Sequence, residues 1–489
     1  MSAQISTNPA SSKQNLLIIS DLHLGEDIKP ATRMGQLRHM VLLERELEAF
    51  LAHYTKVRYD GRPWRLVVNG DMVDFLAVCL LPREGDLDAE AREEADRHPE
   101  DHVYGLGNRP AAAKNKMLRV LARHPGVFRA LAQFIGAGHE LSIIAGNHDV
   151  EFHWPVVQET FKKGVATRWA ESRQASRPGA MSDADLEARI TFHPWFYFQE
   201  NVVWVEHGHQ YDEYSSFDYM LNPVTPDGDE VILNVGAAGA RYLSNHIEGC
   251  DPHQQEDWDA IGYLRWSIAQ GARGLARVYR SYVAFVVRML SMWRMFAKRP
   301  AEERRRTHRE KLLELAAHAR LDPQTLEALD DLRRRPVMHN LGKLLAALML
   351  DRMLVVATTV LLILVFVLAL PWGWALAGVA GTLAVGWGAS WWLSRGRALD
   401  PAPKMRAVTQ RIRSLVHTPF VVMGHSHYPQ AVKLDGGGMY FNTGTWVATE
   451  KPGLLQSFTH VLIRHDKAGP RAELYQWRDG KSIAFTPSA

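Results

Sequence analysis

Five short polar clusters in the chain combine aspartate, histidine and asparagine, which are residue types that bind metal ions through oxygen and nitrogen. Each cluster directly follows a short and almost wholly apolar run. In chain order the clusters are Asp21-Leu-His23, Gly70-Asp-Met-Val-Asp74, Gly146-Asn-His-Asp149, His207-Gly-His209 and Gly424-His-Ser-His427. Because they contain no cysteine, their donor atoms suit hard or borderline divalent ions such as Mn, Fe, Zn or Ni.

The apolar runs that precede the clusters predict short strands buried on both faces, as in a layered α/β sheet. They span residues 16–20, 66–69, 141–145, 202–205 and 420–423. Ligands of such sheets gather at the carboxyl ends of the strands, where each cluster falls. Any one cluster alone is more often a turn or a core histidine. Because there are five, each after a predicted strand, we expect them to meet at one edge of the fold.

The spacing within the clusters favours a centre for two ions. Asp21 and His23 are two residues apart at a strand end, so both side chains can point at one ion. A second aspartate can bridge two ions, and two clustered histidines can supply one ligand to each. Two ions about 3.5–4 Å apart can clamp a phosphoryl oxygen and stabilise the leaving oxygen. The pattern therefore predicts a phosphoester hydrolase.

The clusters resemble the motifs of the calcineurin-like metallophosphoesterases, and Asn442-Thr-Gly-Thr-Trp446 resembles the segment that follows the last motif in that family. The resemblance covers residues 15–215 and 415–470. It implies a β-sandwich flanked by helices, with the site at one edge. The opening D-L-H-L-G at 21–25, with G-N-H-D and H-G-H, is also similar to the UDP-2,3-diacylglucosamine diphosphatases of lipid A synthesis. Those enzymes hydrolyse a lipid-linked pyrophosphate at the cytoplasmic membrane face.

The resemblance implies a role for each residue of the clusters. One ion would be held by Asp21, His23, Asp71 and His427, and the other by Asp71, Asn147, His207 and His425. It implies that His148 contacts the phosphate and protonates the leaving group, with Asp149 orienting its ring. Asp74 and His209 would support the ligands from behind. The choice of His207 over His209 as a ligand rests on the family pattern.

A second feature of the sequence is an apolar region late in the chain. Residues 353–370 carry no charge and are long enough to span a bilayer core, and residues 375–393 form a second uncharged stretch after Pro371. The pattern predicts two spans joined by a tight turn. The alternative is a buried helical hairpin of a soluble protein. Basic residues flank the region on both sides, which predicts that both ends lie in the cytoplasm: Arg333, Arg334, Arg335, Lys343 and Arg352 before it, and Arg395, Arg397, Lys404 and Arg406 after it.

Two other segments leave alternatives open. Residues 258–299 carry apolar residues at helical spacing among many arginines. They predict either an interfacial helix that meets anionic head groups or a long helix packed on the protein's own domain with a solvated basic face. The insertion at 82–116 forms either a lid over the pocket or a solvated helix and loop.

These segments divide the α/β chain into five regions. They are a disordered tail (1–14), the first part of a metallophosphoesterase domain (15–215), a helical insertion (216–345), a transmembrane hairpin (346–396) and the second part of the domain (415–489). The tail lacks the pattern of a secretory signal.

The amino-acid composition argues against some classes of function. Among 489 residues, 57 Lys and Arg against 54 Asp and Glu give a net charge of +3, which does not favour nucleic acid as a partner. Two cysteines exclude a disulfide framework.

The sequence predicts a hydrolase with two divalent ions, Mn favoured, that is anchored in the cytoplasmic membrane and acts on a lipid-linked or nucleotide-linked phosphoester or pyrophosphate. The alternatives are a soluble substrate (a cyclic nucleotide, phosphoprotein or phosphomonoester) and a non-catalytic membrane scaffold with a structural metal site.

Overall fold

The computed structural model of the protein describes most of the chain. The described residues are 14–29, 34–83, 87–172, 177, 179–246, 269, 271–298, 302–394, 400–448, 457–467 and 469–487. The predicted tail, except for Gln14, lies outside this part, as does the beginning of the predicted amphipathic segment at 258–268.

Twelve strands in the described part form two sheets. They are β1 (Asn15–Ile19), β2 (Trp64–Asn69), β3 (Glu140–Ile144), β4 (Ile190–His193), β5 (Phe196–Gln199), β6 (Val203–Glu206), β7 (Phe420–Met423), β8 (Gln430–Leu434), β9 (Gly438–Asn442), β10 (Thr459–Asp466), β11 (Gly469–Arg478) and β12 (Lys481–Ala484). The seven-stranded sheet has the order β12-β11-β10-β1-β2-β3-β4, and the five-stranded sheet has the order β5-β6-β7-β9-β8. Strands β1 to β4 are mutually parallel, as are β6, β7 and β9.

Helices surround the sheets and fill the long insertion between β6 and β7. They are α1 (Met34–Lys56), α2 (Ala89–Asp96), α3 (Asp101–Tyr104), α4 (Pro110–Arg123), α5 (Pro125–Gly136), α6 (Pro155–Ala170), α7 (Asp183–Ala188), α8 (Val235–Tyr242), α9 (Gly271–Lys298), α10 (Glu302–Ala319), α11 (Pro323–Asp330), α12 (Leu341–Ala347), α13 (Leu350–Ala369), α14 (Trp372–Ser394) and α15 (Ala402–Val416). Short 3₁₀ turns occur at Tyr59–Gly61, Val150–His153, His209–Tyr211, Ser244–His246 and Val337–His339.

The two sheets pack face to face because side chains alternate along each strand. Leu16 and Ile18 of β1 meet Val203 and Val205 of β6 in a buried layer between the sheets. The alternate residues Leu17 and Ile19 face outward, where they pack under helices of the first half of the chain. The outer face of the second sheet is covered by α10, α11 and α15. The predicted α/β class is confirmed, with two sheets between layers of helices.

The pairing of β6 with β7 joins the two distant parts of the chain. Val203 lies opposite Phe420, and Val205 lies opposite Val422, across the whole inserted region. Because β6 and β7 are parallel, the insertion leaves from the edge of the sheet where β6 ends and returns to the opposite edge, where β7 begins. Each of the five strands predicted before a polar cluster is present, as β1, β2, β3, β6 and β7.

The late apolar region forms an antiparallel pair of helices, α13 and α14. Gly378 of α14 lies against Phe366 of α13, and Gly386 lies against Thr359. No residue of α13 is buried. Among the described helices, α13 alone is long and apolar enough to cross a membrane by length and composition. The second predicted span lies within α14, where several glycines and tryptophans lower the hydropathy, so the two-span prediction is not supported by this measure.

The insertion at 82–116 is partly buried and partly exposed. It forms α2, α3 and the start of α4, and the loop at 105–109 is buried. Arg109, a buried arginine, forms an ion pair with the buried carboxylate of Asp101, which also pairs with Arg241 of α8 at 2.6 Å. The loop of this segment is therefore not solvated, whereas five of the eight residues of α2 are exposed. Buried ion pairs fix it to the helical insertion.

Candidate metal centre

The five polar clusters occupy the loops that follow β1, β2, β3, β6 and β7, and the structure brings them together at one edge of the sandwich. Backbone contacts join these loops directly. Leu22 donates its amide hydrogen to the carbonyl oxygen of Asp71 at 2.9 Å. The amide of His148 donates to Oδ1 of Asp71 at 2.9 Å, and that of His425 donates to Oδ2 of Asp21 at 3.3 Å. The predicted convergence of the clusters is thus present in the fold.

Five of the seven predicted ligands adopt a left-handed backbone conformation. Their φ angles are 55° for Asp21, 47° for His23, 52° for Asp71, 63° for His425 and 58° for His427. This region is unfavourable for residues with a Cβ atom, and such strain concentrates at functional sites. Twelve non-glycine residues with positive φ occur in the described part, so the predicted ligands account for nearly half of them. The loops hold these side chains at a cost in backbone energy.

Two glycines of the clusters allow the close approach of the loops. Gly70 has φ of +80°, and an added Cβ would overlap the ring of His207. An added Cβ at Gly146 would overlap the carboxylate of Asp71. Position 70 requires glycine because its φ is positive and because a Cβ would not fit. Position 146 requires glycine only because a Cβ would not fit.

The first group of donor atoms consists of Asp21, His23 and His427, with Asp71 beside it. Oδ1 of Asp21 lies 3.2 Å from Nε2 of His427 and 4.0 Å from Nε2 of His23. Nε2 of His23 is 3.9 Å from Oδ2 of Asp71. Ligand atoms of Asp21, His23 and His427 all lie within 4.8 Å of one another, which is close enough for a single ion. The structure thus brings the residues of the first predicted set together, and their binding of an ion stays a prediction.

The second group is centred on the other side of Asp71. Oδ2 of Asp71 is 3.1 Å from Nε2 of His207, and Oδ1 of Asn147 is 3.2 Å from the same nitrogen. Ligand atoms of Asp71, His207 and His425 lie within 4.8 Å of one another. Nδ1 of His207 donates to the carbonyl oxygen of Asn69 at 2.8 Å, which fixes the ring with Nε2 toward Asp71. Asp71 belongs to this group and lies beside the first, where a bridging ligand would be placed.

His148 lies at the mouth of the site, where its side chain is 22% exposed. Its Nδ1 is 3.2 Å from Oδ1 of Asp74, whereas Oδ2 of Asp74 accepts a hydrogen bond from Nδ1 of His23 at 3.3 Å. Ligand atoms of His23, Asp71 and His148 also lie within 4.8 Å of one another, so His148 is close enough to serve as a ligand.

Asp149 does not hold His148 in the way that the sequence analysis expects. Its two oxygens accept hydrogen bonds from the amides of Gly146, at 2.6 Å, and Met72, at 2.7 Å. The carboxylate next to the imidazole of His148 is that of Asp74. Asp149 follows His148 in sequence, but its side chain turns back toward the loop backbone. Asp149 therefore joins the loops after β2 and β3, and the expected orienting contact is corrected to Asp74.

His209 lies behind the second group, with its ring centre 5.4 Å from that of His207. Within the described residues, no group able to hold an ion includes His209. Burial and the neighbouring imidazoles His207 and His425 keep its pKa well below the usual value, so it is neutral. This position agrees with the supporting role expected for it.

Asp212 is a site residue that the sequence analysis missed. Its Oδ2 lies 3.3 Å from Nε2 of His425 and accepts a hydrogen bond from Ser215 at 3.0 Å. Burial opposes the charged carboxylate, but His425 lowers the pKa of Asp212 below its usual value. The only sequence signal is its position three residues after His209, because the 3₁₀ turn His209–Tyr211 brings it back toward the site.

The charges of the centre are strongly coupled. Burial alone would raise the pKa of Asp71, but the imidazoles of His207 and His148 hold it well below its usual range. Burial disfavours a charged imidazole, yet Asp71 raises the pKa of His207 to about 9. Against the same effect of burial, Asp74 and then Asp71 raise the pKa of His148 to about 10. Buried carboxylates here are compensated by positive charge, which bound cations would also supply.

The fold and the site define a mixed α/β protein that carries two adjoining groups of aspartate and histidine ligand atoms. Neither a scan of the sequence against models of known protein families nor a search of curated proteins gave a match. Membership of the metallophosphoesterase family stays a prediction that rests on the motifs.

Proposed function

We propose that the protein is a dinuclear-metal phosphoester hydrolase anchored in a membrane, with a sandwich of the calcineurin-like kind. The observation that carries this proposal is that the seven predicted ligands, from two parts of the chain, lie in two adjoining groups with Asp71 between them. Carboxylate, imidazole and amide donors in two groups with one shared aspartate are the arrangement that two-ion hydrolysis requires. The strained backbone at five of these residues supports a functional centre rather than a packed core.

The donor set fits divalent ions. For each of three imidazoles, one ring nitrogen contacts a supporting acceptor: His23 with Asp74, His207 with the carbonyl of Asn69, and His425 with Asp212. In many protein metal sites such a contact orients the ring so that its other nitrogen binds the metal. Asp21, His23, Asp71 and His427 would hold one ion, and Asp71, Asn147, His207 and His425 the other. When bound, such ions supply Lewis-acid activation of the phosphoryl group and of the attacking water.

The chain's own residues supply the proton chemistry. Asp74 contacts Nδ1 of His148, whose side chain is 22% exposed. An imidazolium in this position can donate a hydrogen bond to a phosphoryl oxygen and give its proton to the leaving oxygen. Because Asp74 also contacts His23, it links the proton donor to one ligand. Asp149 accepts hydrogen bonds from the amides of Gly146 and Met72, and so holds the loop of His148 against the loop of Asp71.

Two observations support the membrane anchor. The helix α13 is apolar, unburied and long enough to cross a bilayer. Because β6 and β7 pair, the two parts of the domain lie on the same side of any membrane that the insertion crosses. If α13 crosses, α14 is the uncharged returning segment, and the exposed Trp372, Trp374 and Trp392 are suited to the interface. An anchored enzyme would meet an amphiphilic, lipid-linked phosphoester within the membrane plane.

The proposed activity is tested with the full chain in detergent. We expect hydrolysis of bis(p-nitrophenyl) phosphate that requires Mn²⁺ or another divalent ion, and faster turnover of lipid-linked phosphoesters than of cyclic nucleotides, phosphopeptides or phosphomonoesters. Preference for a soluble substrate would keep the chemistry and change the substrate class. No hydrolysis with any divalent ion would instead favour a membrane scaffold.

Metal uptake should release protons. His207 has a pKa of about 9 without metal, so it carries a proton at neutral pH, and it must lose that proton to bind an ion. Affinity for Mn²⁺ should therefore rise with pH up to about 9. Isothermal titration in buffers of different ionisation enthalpy measures the release directly. Binding heats at pH 7 that do not depend on the buffer would contradict this protonation state.

Substitution of Asp212 should weaken the second ion selectively. Without the carboxylate, Nε2 of His425 loses its partner and the ring is less firmly oriented, so Asp212→Asn should lower metal affinity about 10–100-fold. Equilibrium dialysis with Mn²⁺ measures the effect. The matched control is Asp218→Asn, because Asp218 contacts His339 at 2.6 Å in a partly exposed pair of the helical insertion. Equal effects of the two substitutions would argue against a role for Asp212.

A further inference from the structure

The long helix α9 of the insertion has one face packed against the protein. Ser281, Phe285, Met289 and Met292 are buried at intervals of one turn. The three apolar members share a cluster with residues around α12, including Leu344 and Leu348. This buried face is the one through which α9 packs against the rest of the protein.

A second apolar row on α9 faces outward. Leu275, Tyr279, Val283 and Val287 follow one another at intervals of four residues, and their exposed fractions are 45%, 64%, 39% and 60%. Single exposed apolar residues are ordinary, but an aligned row over several turns is typical of a surface that contacts something else. The packing of α9 on its own domain therefore explains one face of the helix and not the other.

The charges of α9 indicate what covers this row. The helix carries five arginines and one lysine but no aspartate or glutamate. Arg273, Arg277, Arg280 and Arg294 are exposed, whereas Arg288 lies 3.5 Å from Glu100. A row of apolar residues beside a wholly basic one is the pattern of a helix in the plane of an anionic membrane surface.

The position of α9 next to the apolar hairpin also favours a membrane as the surface that covers this row. The hydroxyl of Tyr282 donates to the carbonyl oxygen of Leu348 at 2.5 Å, and Leu350 begins the exposed helix α13 two residues later. The outward row therefore lies on a helix that is fixed to the base of the apolar hairpin. A bilayer that receives the hairpin would meet α9 at its surface.

We propose that α9 is an interfacial helix whose row Leu275, Tyr279, Val283 and Val287 enters the outer acyl region while its arginines contact anionic lipid head groups. The inference rests on the proposed membrane anchor, and it adds a second contact that fixes the orientation of the protein on the membrane. Its arginines favour a surface with net negative charge, because the charge on the helix has one sign.

The test uses the full chain in vesicles of phosphatidylcholine with or without phosphatidylglycerol. With Cys79→Ala and Cys250→Ala as background, a nitroxide is attached to Tyr279→Cys, Val283→Cys or Val287→Cys. Collision with lipid-soluble oxygen is compared with collision with a water-soluble nickel chelate. Leu361→Cys on α13 reports on the anchor, and Val41→Cys on α1, which is 56% exposed, is the matched water-facing control.

We expect the three α9 labels to favour oxygen several-fold over the nickel chelate relative to Val41→Cys, more strongly with phosphatidylglycerol. In the double variant Arg277→Gln, Arg280→Gln, the fraction of molecules with α9 in the membrane should fall by up to about fivefold for each arginine removed. Nickel-accessible α9 labels with an oxygen-accessible Leu361→Cys would overturn the inference and keep the anchor. A nickel-accessible Leu361→Cys would overturn the anchor itself. Labels on α9 protected from both reagents would contradict a lipid contact and indicate cover by protein.

Discussion

Replacement of Asp71 by alanine is expected to abolish metal-dependent hydrolysis, with a loss of about 10³-fold or more in kcat. The carboxylate of Asp71 lies between the two donor groups, with Oδ2 at 3.1 Å from Nε2 of His207 and 3.9 Å from Nε2 of His23. Its removal takes a ligand from each ion and leaves the neighbouring imidazoles without their counter-charge. Metal content by elemental analysis and turnover of bis(p-nitrophenyl) phosphate measure the two consequences.

The control for this substitution is Asp60→Ala. Asp60 is also an aspartate with positive φ, 53°, but it lies in a 3₁₀ turn between α1 and β2, with no buried residue. Its replacement should leave activity and metal content unchanged. Retention of both ions and full activity in Asp71→Ala would refute a bridging role, whereas similar losses in both variants would indicate a general effect on folding.

His148→Ala should separate proton donation from metal binding. The variant is expected to keep both ions while kcat falls about 10²–10⁴-fold, because the leaving oxygen then departs without a proton donor. The loss should be smaller for substrates with a good leaving group such as p-nitrophenol, which needs little protonation. Comparison of an alkyl phosphoester with a nitrophenyl ester in the same variant tests this directly.

Asp74→Asn is the companion variant, because Asp74 contacts Nδ1 of His148 and also accepts a hydrogen bond from His23. It should lower kcat in the same leaving-group-dependent way and also weaken metal binding. Exposed His318→Ala serves as the control substitution. Loss of metal in His148→Ala would instead make His148 a ligand, which its proximity to His23 and Asp71 allows.

The sequence predicts the strands and the ligand groups because their signals are local. Short apolar runs that end in polar clusters specify β1, β2, β3, β6 and β7, and the rule that ligands gather at strand ends brings the clusters together. The resemblance to a known family adds the division of the ligands between two ions.

The contacts that were missed depend on backbone geometry that no local pattern encodes. Asp149 is adjacent to His148 in sequence, but its carboxylate is taken by the amides of Gly146 and Met72. Asp74 reaches His148 from another loop instead. Asp212 becomes a partner of His425 only because a 3₁₀ turn reverses the chain after His209.

The predicted membrane region also shows what a local sequence pattern can and cannot predict. Hydropathy predicts the helices α13 and α14 well, because an uncharged run is a local signal. It does not distinguish a helix that crosses a bilayer from one that only packs beside it, and α14 is less apolar than α13. For the helix α9, periodicity alone left two alternatives open. The burial of Phe285 and Met289 beside the exposure of Tyr279 and Val287 shows that the helix has both a packed apolar face and an outward one.

The most direct test of the two-ion centre is anomalous diffraction from crystals of the full chain grown with Mn²⁺, recorded on both sides of the manganese absorption edge. Two peaks should appear, one on each side of the Asp71 carboxylate. His23 and His427 should lie at the first and His207 and His425 at the second. A single peak, or peaks away from Asp71 in a protein that still folds as described, would contradict the centre from which the proposed chemistry is derived.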